Sequence, residues 1–208
     1  MLDVEGFILV GGASSRMGRD KSRLMLGSQT TVERIAEAMA NVATRIRLVG
    51  GLVDGQDGRN RFQSVPDLAE SWGPLGGIHA ALHAAEAEWC IAIACDLPFV
   101  SGGLLRRLFE LRSNRTESFD AVVPTQADDY PQPLCAVYRR LSCLDAADQS
   151  VRNEEHSPRA LLDQVKTRYV PFAGISDLPG ASNFFFNINT PENYERAQRL
   201  CQYPERRR

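Results

Sequence analysis

The sequence predicts a three-layer α/β/α domain built around a mainly parallel, mixed β-sheet. Short apolar runs rich in β-branched residues alternate with amphipathic stretches, which is the rhythm of β–α–β crossovers. A later apolar run at 133–140 follows its predecessor through the polar link TQADDYPQ, which is too short for a crossover helix. That link predicts at least one antiparallel strand. A length of 208 residues suits a single domain with one sizeable core.

The individual elements follow from the local pattern. Four buried strands are predicted where the apolar runs occur, at 7–10, 45–50, 89–95 and 121–124. Three helices are predicted between them from apolar residues at helical spacing, at 31–43, 76–88 and 104–113. Two later helices, at 157–165 and 190–202, each begin with a Ser or Thr cap followed by Pro. We expect the residues at 203–208 to form a frayed, solvated tail.

Composition and charge narrow the class of function. Hydrophobic residues make up 43% and charged residues 24%, which is typical of a globular protein. A formal net charge of −2 supplies no broad basic field for a nucleic acid polymer, so we expect a small anionic partner. The first apolar run is only four residues long, which favours neither a signal peptide nor a membrane span and predicts a cytoplasmic protein.

Cysteines and histidines indicate no disulfide framework and no zinc site. The five cysteines are an odd number and several lie in apolar runs, which predicts buried free thiols. His79 and His83 have the i, i+4 spacing of a metal pair, but no third ligand lies nearby. We therefore expect both histidines on a helix surface.

A Gly-rich, basic loop directly follows the first predicted strand. Its sequence is GGASSRMGRDK at 11–21, and in an α/β sheet this position is the carboxyl edge where ligands bind. Gly11 and Gly12 let backbone N–H groups approach phosphate oxygens, while Arg16 and Lys21 supply positive charge. The loop matches neither the dinucleotide fingerprint nor the Walker loop. The simpler interpretation is a basic surface loop with turn glycines.

An aspartate ends the most apolar strand at the same edge. Asp96 follows WCIAIAC, so its carboxylate is expected beside the Gly-rich loop. Mg²⁺ is held by one or two carboxylates and completes its shell with water and phosphate oxygens, which makes Asp96 a candidate metal ligand. The alternative is a cap for the next helix, but four residues separate Asp96 from SGGLL.

Two further segments complete a possible site. Asp67 lies six residues before the glycine-rich segment GPLGG at 73–77, which is predicted to be a loop that turns into a helix and presses its backbone, Gly76 included, against a base or sugar. A solvated turn is the alternative. Asn187 and Asn189 flank a strand end that opens the last helix, and a purely local hydrogen-bonding role is the alternative for Asn189.

Five motifs, taken in order, resemble the molybdenum cofactor guanylyltransferase family, within the glycosyltransferase-A-like nucleotidyltransferases. They are LVGGASSRMGRDK, D-x5-GPLGG, CDLPF, PQPLCAVY and NINTP, and they extend from residue 7 to about 199. The resemblance implies a Rossmann-like nucleotidyltransferase that uses Mg²⁺ to transfer GMP from GTP to the terminal phosphate of molybdopterin carrying molybdenum. The products would be molybdopterin guanine dinucleotide and pyrophosphate.

The resemblance also implies a role for each matching residue. The family's nucleotide-binding loop matches Leu9, Val10, Gly11 and Gly12, and its phosphate-binding lysine matches Lys21. Its base-side aspartate matches Asp67, and its metal ligand matches Asp96. Its asparagine pair on the acceptor side matches Asn187 and Asn189. Lys21, Asp96 and Arg16 are the catalytic candidates, and Gly76 joins the nucleotide-binding set. Within one domain, the nucleotide half would be about 1–100 and the acceptor half about 101–200. We therefore expect Asn189→Ala to leave GTP binding unchanged and Asp67→Ala to weaken it.

Alternatives remain open on the sequence. The segment RMGRDK is one residue shorter than is usual in the family, and residues 49–51 lack an expected asparagine, while the compact loop also occurs in related cytidylyltransferases. A CTP-dependent molybdopterin cytidylyltransferase is therefore one alternative, and a noncatalytic nucleotide-binding partner in molybdoenzyme assembly is another. Other cofactor-assembly proteins or apo-molybdoenzymes are possible partners. No serine has a His and carboxylate partner set, so direct transfer without a covalent enzyme intermediate is expected.

Overall fold

The computed structural model describes residues 3–10, 21–50, 62–68 and 72–202. The helices found in these ranges are α1 (Thr31–Met39), α2 (Gly73–Ala84), α3 (Gly102–Glu110), α4 (Arg140–Arg152), α5 (Pro158–Gln164) and α6 (Pro191–Gln202). The strands are β1 (Val4–Leu9), β2 (Met25–Leu26), β3 (Gln29–Thr30), β4 (Arg45–Val49), β5 (Gln63–Val65), β6 (Trp89–Ala94), β7 (Ala121–Pro124), β8 (Cys135–Arg139) and β9 (Thr167–Val170). Short 3₁₀ turns occur at Lys21–Arg23, Phe172–Gly174 and Ala181–Asn183.

Seven of these strands form one mixed sheet, in the order β5-β4-β1-β6-β8-β7-β9. β1 pairs in parallel with β4 and β6, β4 with β5, and β7 with β9. β8 is antiparallel to both β6 and β7, which confirms the antiparallel strand predicted from the short polar link. One edge of the sheet, here called the carboxyl edge, consequently collects the carboxyl ends of β5, β4, β1, β6 and β7.

Helices cover both faces of the sheet, so the predicted three layers are confirmed. Alternation along β1 sends Ile8 into one core, where it is buried with side chains of α1 and α3. Phe7 and Leu9 enter the other core, with side chains of α2, α4 and α5. α6 packs instead against the β2–β3 hairpin, through a smaller cluster that includes Leu24, Leu26, Ile188 and Ala197.

Several helix ends are set by side-chain caps. At α1 the Thr30 hydroxyl accepts from the Glu33 N–H at 3.1 Å, and the Glu33 carboxylate accepts from the Thr30 N–H at 2.8 Å, which is a capping box. The predicted helix 31–43 is shorter in the structure, because α1 ends at Met39. The predicted helix 76–88 begins three residues earlier than expected, at Gly73, and ends at Ala84.

A buried ion pair ties β1 to β4 and to the end of α2. Arg47 donates to Glu5 Oε2 at 2.7 Å and to the Ala84 carbonyl at 2.8 Å, and the Glu86 N–H donates to the same Glu5 oxygen at 2.9 Å. The Arg47 guanidinium lies 4.8 Å from the centroid of the Phe7 ring. Glu5 and Arg47 are about 95% buried, so their charges depend on each other rather than on water.

The thiols agree with the sequence expectation, but one histidine does not. All five cysteines are free, four of them buried and Cys201 partly exposed, and burial raises the pKa of Cys90 and of Cys135 to about 12. His79, expected on a helix surface, is buried, and its Nε2 lies 2.7 Å from Asp148 Oδ1 of α4. The expectation was wrong because α4 packs over α2 at this point. No helix in the described ranges is long and apolar enough to cross a membrane.

Candidate active site

The carboxyl edge brings together four of the residues predicted from the sequence. Lys21 contacts Asn189 and lies 3.9 Å from Asp96, which in turn contacts Asn187, although the four residues come from three separate stretches of the chain. We call these four side chains the edge cluster. They provide one ammonium, one carboxylate and two amides in a partly buried setting.

Asp96 is held by the sheet rather than by a helix end. The Cys95 N–H donates to the Leu9 carbonyl at 3.0 Å, and the Leu97 N–H donates to the Ala94 carbonyl at 3.1 Å, so the chain turns as it leaves β6. The cap of α3 is Ser101, whose hydroxyl accepts from Leu104 N–H at 3.2 Å. Asp96 is therefore not the helix cap that the sequence left open.

Lys21 reaches the cluster from the start of the short turn after the Gly-rich loop. The Thr31 hydroxyl donates to the Lys21 carbonyl at 2.7 Å and thereby ties this turn to the first residue of α1. Lys21 Nζ donates to Asn189 Oδ1 at 2.6 Å and lies 3.9 Å from Asp96 Oδ2. The expectation assigned Lys21 and Asn189 to different pockets, whereas the structure places their side chains in contact.

The segment 187–189 is fastened to Asp96 through its backbone and its side chain. The Ile188 N–H donates to the Asp96 carbonyl at 3.0 Å, and the Ile188 side chain is fully buried beside Leu24 and Leu26. With its amide nitrogen toward Asp96, Asn187 donates to Oδ1 at 3.1 Å and to Oδ2 at 3.2 Å. A buried isoleucine thus holds two amides in place on either side of it.

Electrostatics at Asp96 combine two opposing effects. Burial raises the pKa of Asp96 because it penalises the charged carboxylate, while the Lys21 charge and a backbone hydrogen bond act to lower it. The net shift is upward. A further cation close to Asp96 would stabilise the carboxylate in its charged form.

The remaining predicted residues divide into those the structure places and those outside the described ranges. The Val10 N–H donates to the Val49 carbonyl at 2.8 Å, which extends β1 to the carboxyl edge just beyond Leu9. Gly11, Gly12 and Arg16 lie outside the described residues, as does the tail at 203–208.

Asp67 follows β5, whereas Asp96 follows β6. Three inter-strand spacings of about 4.8 Å separate β5 from β6 in the sheet, so the two strands are about 14 Å apart. Asp67 therefore belongs to the same edge as Asp96 but not to the edge cluster.

The loop predicted at 73–77 is helical instead. Gly73 has a φ of +57°, and α2 begins there with Pro74 in its first turn. Gly76 is buried in that turn, and its N–H donates to the Trp72 carbonyl at 3.4 Å. Gly77, in the same segment, packs on Leu9, because a Cβ at Gly77 would lie 3.4 Å from Leu9 Cδ1.

Comparison with known proteins indicates the family of the chain. The profile of the MobA-like NTP transferase domain matches residues 6–168 of the chain. The chain belongs to this family. A relative from Pelotomaculum thermopropionicum, named probable molybdenum cofactor guanylyltransferase, is 34% identical over 202 residues, covering 97% of this chain and 95% of the relative.

Solved structures of family members and of proteins with a similar fold extend the comparison. Molybdopterin-guanine dinucleotide biosynthesis protein A from Archaeoglobus fulgidus superposes with a TM-score of 0.78 and 28% identity, covering 95% of this chain and 98% of that one. The 2-C-methyl-D-erythritol 4-phosphate cytidylyltransferase from Thermus thermophilus has a TM-score of 0.66 at 16% identity, covering 94% and 98% of the two chains. The latter likeness shows the nucleotidyltransferase fold alone.

Proposed function

We propose that this MobA-like NTP transferase moves GMP from GTP to the terminal phosphate of molybdopterin carrying molybdenum, with release of pyrophosphate. The observation that carries the proposal is the edge cluster, which joins a lysine, a carboxylate and two amides at the ligand-binding edge of the sheet. The names of relatives matched over nearly their whole length support guanylyl transfer in particular. We expect the reaction to take place in the cytoplasm and the product to pass to other cofactor-assembly proteins or apo-molybdoenzymes.

The chemistry requires charge neutralisation more than a protein nucleophile. An oxygen of the acceptor phosphate attacks the α-phosphorus of GTP, a new P–O bond forms, and the bond to pyrophosphate breaks with its electron pair leaving on pyrophosphate. Both reactants are anions, so the site must hold them in line and offset their repulsion. Lys21 Nζ donates one hydrogen bond to Asn189 and keeps two N–H donors for phosphate oxygens.

The other residues are assigned by their place along the carboxyl edge. Leu9, Val10, Gly11, Gly12 and Arg16 would cradle the triphosphate, as the Gly-rich loop chemistry suggests. Asp67 and Gly76 would contact the nucleoside end, because β5 is about 14 Å from β6 and the two ends of one nucleotide can reach both strands. Asn187 and Asn189 would meet the acceptor across Asp96.

The donor set around Asp96 fits a magnesium ion that is completed by substrate. The described residues contain no group of three or more His, Cys, Asp or Glu side chains that could hold a metal by themselves. One polar atom of the Asn187 amide lies 3.1 and 3.2 Å from the two Asp96 oxygens. With Mg²⁺ bound, the Asn187 amide would turn its oxygen toward Asp96 and offer a neutral oxygen ligand beside the carboxylate, which is a ligand type that Mg²⁺ prefers.

In this arrangement Asp96 and Asn187 would hold Mg²⁺, and Asp96 would be the charged ligand. When bound, the ion would offset the negative charge that develops on the phosphates. The contribution of the chain is to keep the carboxylate partly buried, next to Lys21 and open to a triphosphate.

A nucleotide panel tests the proposal. We expect pyrophosphate release with GTP, Mg²⁺ and molybdopterin, none without molybdopterin, and slower release with Lys21→Ala at the same GTP concentration. Release with CTP in place of GTP would instead identify a cytidylyltransferase. Binding of GTP without turnover under any acceptor condition would identify a noncatalytic nucleotide-binding protein.

A further inference from the structure

Two arginines and two phenylalanines form a continuous row beside the edge cluster. The Arg34 guanidinium of α1 lies 5.6 Å from the centroid of the Phe99 ring, and the Arg196 guanidinium of α6 lies 5.0 Å from that of Phe186. The two rings meet edge to face, with centroids 6.0 Å apart and an interplanar angle of 71°. We call these four residues the arginine–phenylalanine row.

The two rings of the row belong to segments that reach the carboxyl edge, and they pack in the small cluster that holds Ile188. Phe99 comes three residues after Asp96, and Phe186 immediately precedes Asn187. Arg34 Nε donates to the Pro98 carbonyl at 3.4 Å. Arg34 also lies in the first turn of α1, which is tied to the Lys21 carbonyl through the Thr31 hydroxyl.

Neither arginine of the row is neutralised within the described part of the chain. Other arginines there have carboxylate partners: Arg47 pairs with Glu5 at 2.7 Å and Arg107 with Asp177 at 2.9 Å. No carboxylate of the described residues forms an ion pair with Arg34 or Arg196. Among the described residues, both guanidiniums therefore keep a positive charge without a carboxylate partner, on rings that belong to the segments leading from Asp96 and into Asn187.

Stacking on a phenylalanine leaves a guanidinium free to bind a phosphate. The contact uses the face of the planar group, whereas its N–H donors point outward in the plane. Arg34 uses only Nε for the Pro98 carbonyl, so its two terminal nitrogens keep their donors. The two rings brace each other and limit the orientations that each arginine can adopt.

We propose that Arg34 and Arg196 form a subsite for the anionic groups of the acceptor, and that Phe99 and Phe186 orient these two guanidiniums. The inference rests on the proposed function, because it assigns the acceptor of that reaction to this row. The triphosphate is the other possible source of phosphate. The acceptor is favoured because Phe186 and Arg196 belong to the C-terminal half, next to Asn187 in the sequence, whereas the Gly-rich loop already supplies Arg16, Arg19 and Lys21 for the nucleotide.

The test compares four variants by steady-state kinetics and by direct binding. Arg34→Gln and Arg196→Gln remove the positive charge, whereas Arg34→Lys keeps it. Arg199→Gln is the matched control for Arg196→Gln on α6, since Arg199 is exposed and lies 4.0 Å from Glu195. Pyrophosphate release is measured at varied molybdopterin with saturating GTP, and at varied GTP with saturating molybdopterin. Binding of molybdopterin is followed separately by its pterin fluorescence.

We expect each glutamine variant of the row to raise the molybdopterin KM about tenfold, as for loss of one charge-assisted hydrogen bond, while the GTP KM changes less than twofold. Arg34→Lys should recover part of the loss, because it restores the charge but not the planar stack, whereas a purely structural role in ring packing would give no recovery. Arg199→Gln should match the wild type. If Arg34→Gln unfolds, Arg34→Lys and Arg196→Gln still test the subsite.

Three results would overturn the inference: an unchanged molybdopterin KM in both glutamine variants, a rise in the GTP KM instead, or an equal loss in Arg199→Gln. Failure of the proposed function would look different. In that case the wild type would release no pyrophosphate with GTP and molybdopterin. Loss of pterin binding in the arginine variants would then still support the row as a binding site.

Discussion

The contact between Lys21 and Asn189 leads to a prediction that differs from the sequence expectation. The expectation was that Asn189→Ala would spare GTP binding, because Asn189 was assigned to the acceptor. In the structure Lys21 Nζ donates to Asn189 Oδ1 at 2.6 Å, so the amide holds the lysine proposed to bind the triphosphate. We expect Asn189→Ala to weaken GTP binding through Lys21.

The size of the effect follows from the geometry. A hydrogen bond to a charged group contributes about 1.5 to 3 kcal/mol, and the lower value suits a lysine whose side chain is 21% exposed. Without Asn189, the attraction of Asp96, whose Oδ2 lies 3.9 Å away, would draw Nζ toward the carboxylate. That attraction is about 4 kcal/mol at an effective dielectric constant of about 20, before the cost of desolvation. The lysine would then present fewer donors to phosphate, and GTP affinity should fall about tenfold.

A double-mutant cycle on Lys21→Ala and Asn189→Ala, with GTP affinity measured by calorimetry, checks this. We expect each single variant to lose at least about tenfold in affinity, and the double variant to bind no worse than Lys21→Ala alone, because the amide acts only through the lysine. Asn183→Ala is the control, since its side-chain amide donates to the Ser182 hydroxyl at 3.2 Å and not to Lys21. If the two losses multiply, or if Asn189→Ala binds GTP normally, Asn189 does not act through Lys21.

Three further outcomes are expected. Asp96→Asn should preserve the melting temperature but lower kcat about a hundredfold or more, and excess Mg²⁺ in the assay should not restore it. Asp67→Ala should raise the GTP KM about tenfold and leave the molybdopterin KM unchanged. Similar rises in both KM values would show that Asp67 does not contact the nucleoside specifically. Glu5→Ala should lower the free energy of unfolding, measured in urea, by about 3 to 5 kcal/mol, because it leaves the buried Arg47 charge without its carboxylate partner. A loss below about 1 kcal/mol would contradict this account.

The regular part of the fold was predictable from local pattern, and the missed elements share a physical cause. β6 and β7 are continuous apolar runs and β1 ends in one, at 7–9; all three strands are buried along their whole length, and such runs identify strands without tertiary information. β5 and β9 are only three and four residues long, with exposed positions at the margins of the sheet. They form because a neighbouring strand offers hydrogen bonds, and their own sequences carry little signal.

Helix boundaries depended in the same way on packing. α4 was missed because it begins at Arg140, directly after the last residue of β8, and its N-cap residue Arg139 provides no side-chain cap. The start of α2 was missed because its glycines and proline are typical of a loop, yet Gly77 leaves room for the Leu9 side chain and the helix packs against β1. Propensity was overridden here by burial against the sheet.

For the site, the sequence alone determined the residue types and the edge at which they would lie. A carboxylate after a buried parallel strand and a lysine after a Gly-rich loop must both emerge at the carboxyl ends of the strands, whatever the details of packing. The partners of those residues were decided by tertiary structure. Lys21 and Asn189 are 168 positions apart, and they meet because Ile188, buried beside Leu24 and Leu26, fastens the two segments together. No local pattern encodes that contact, since it depends on how two distant stretches share one small core.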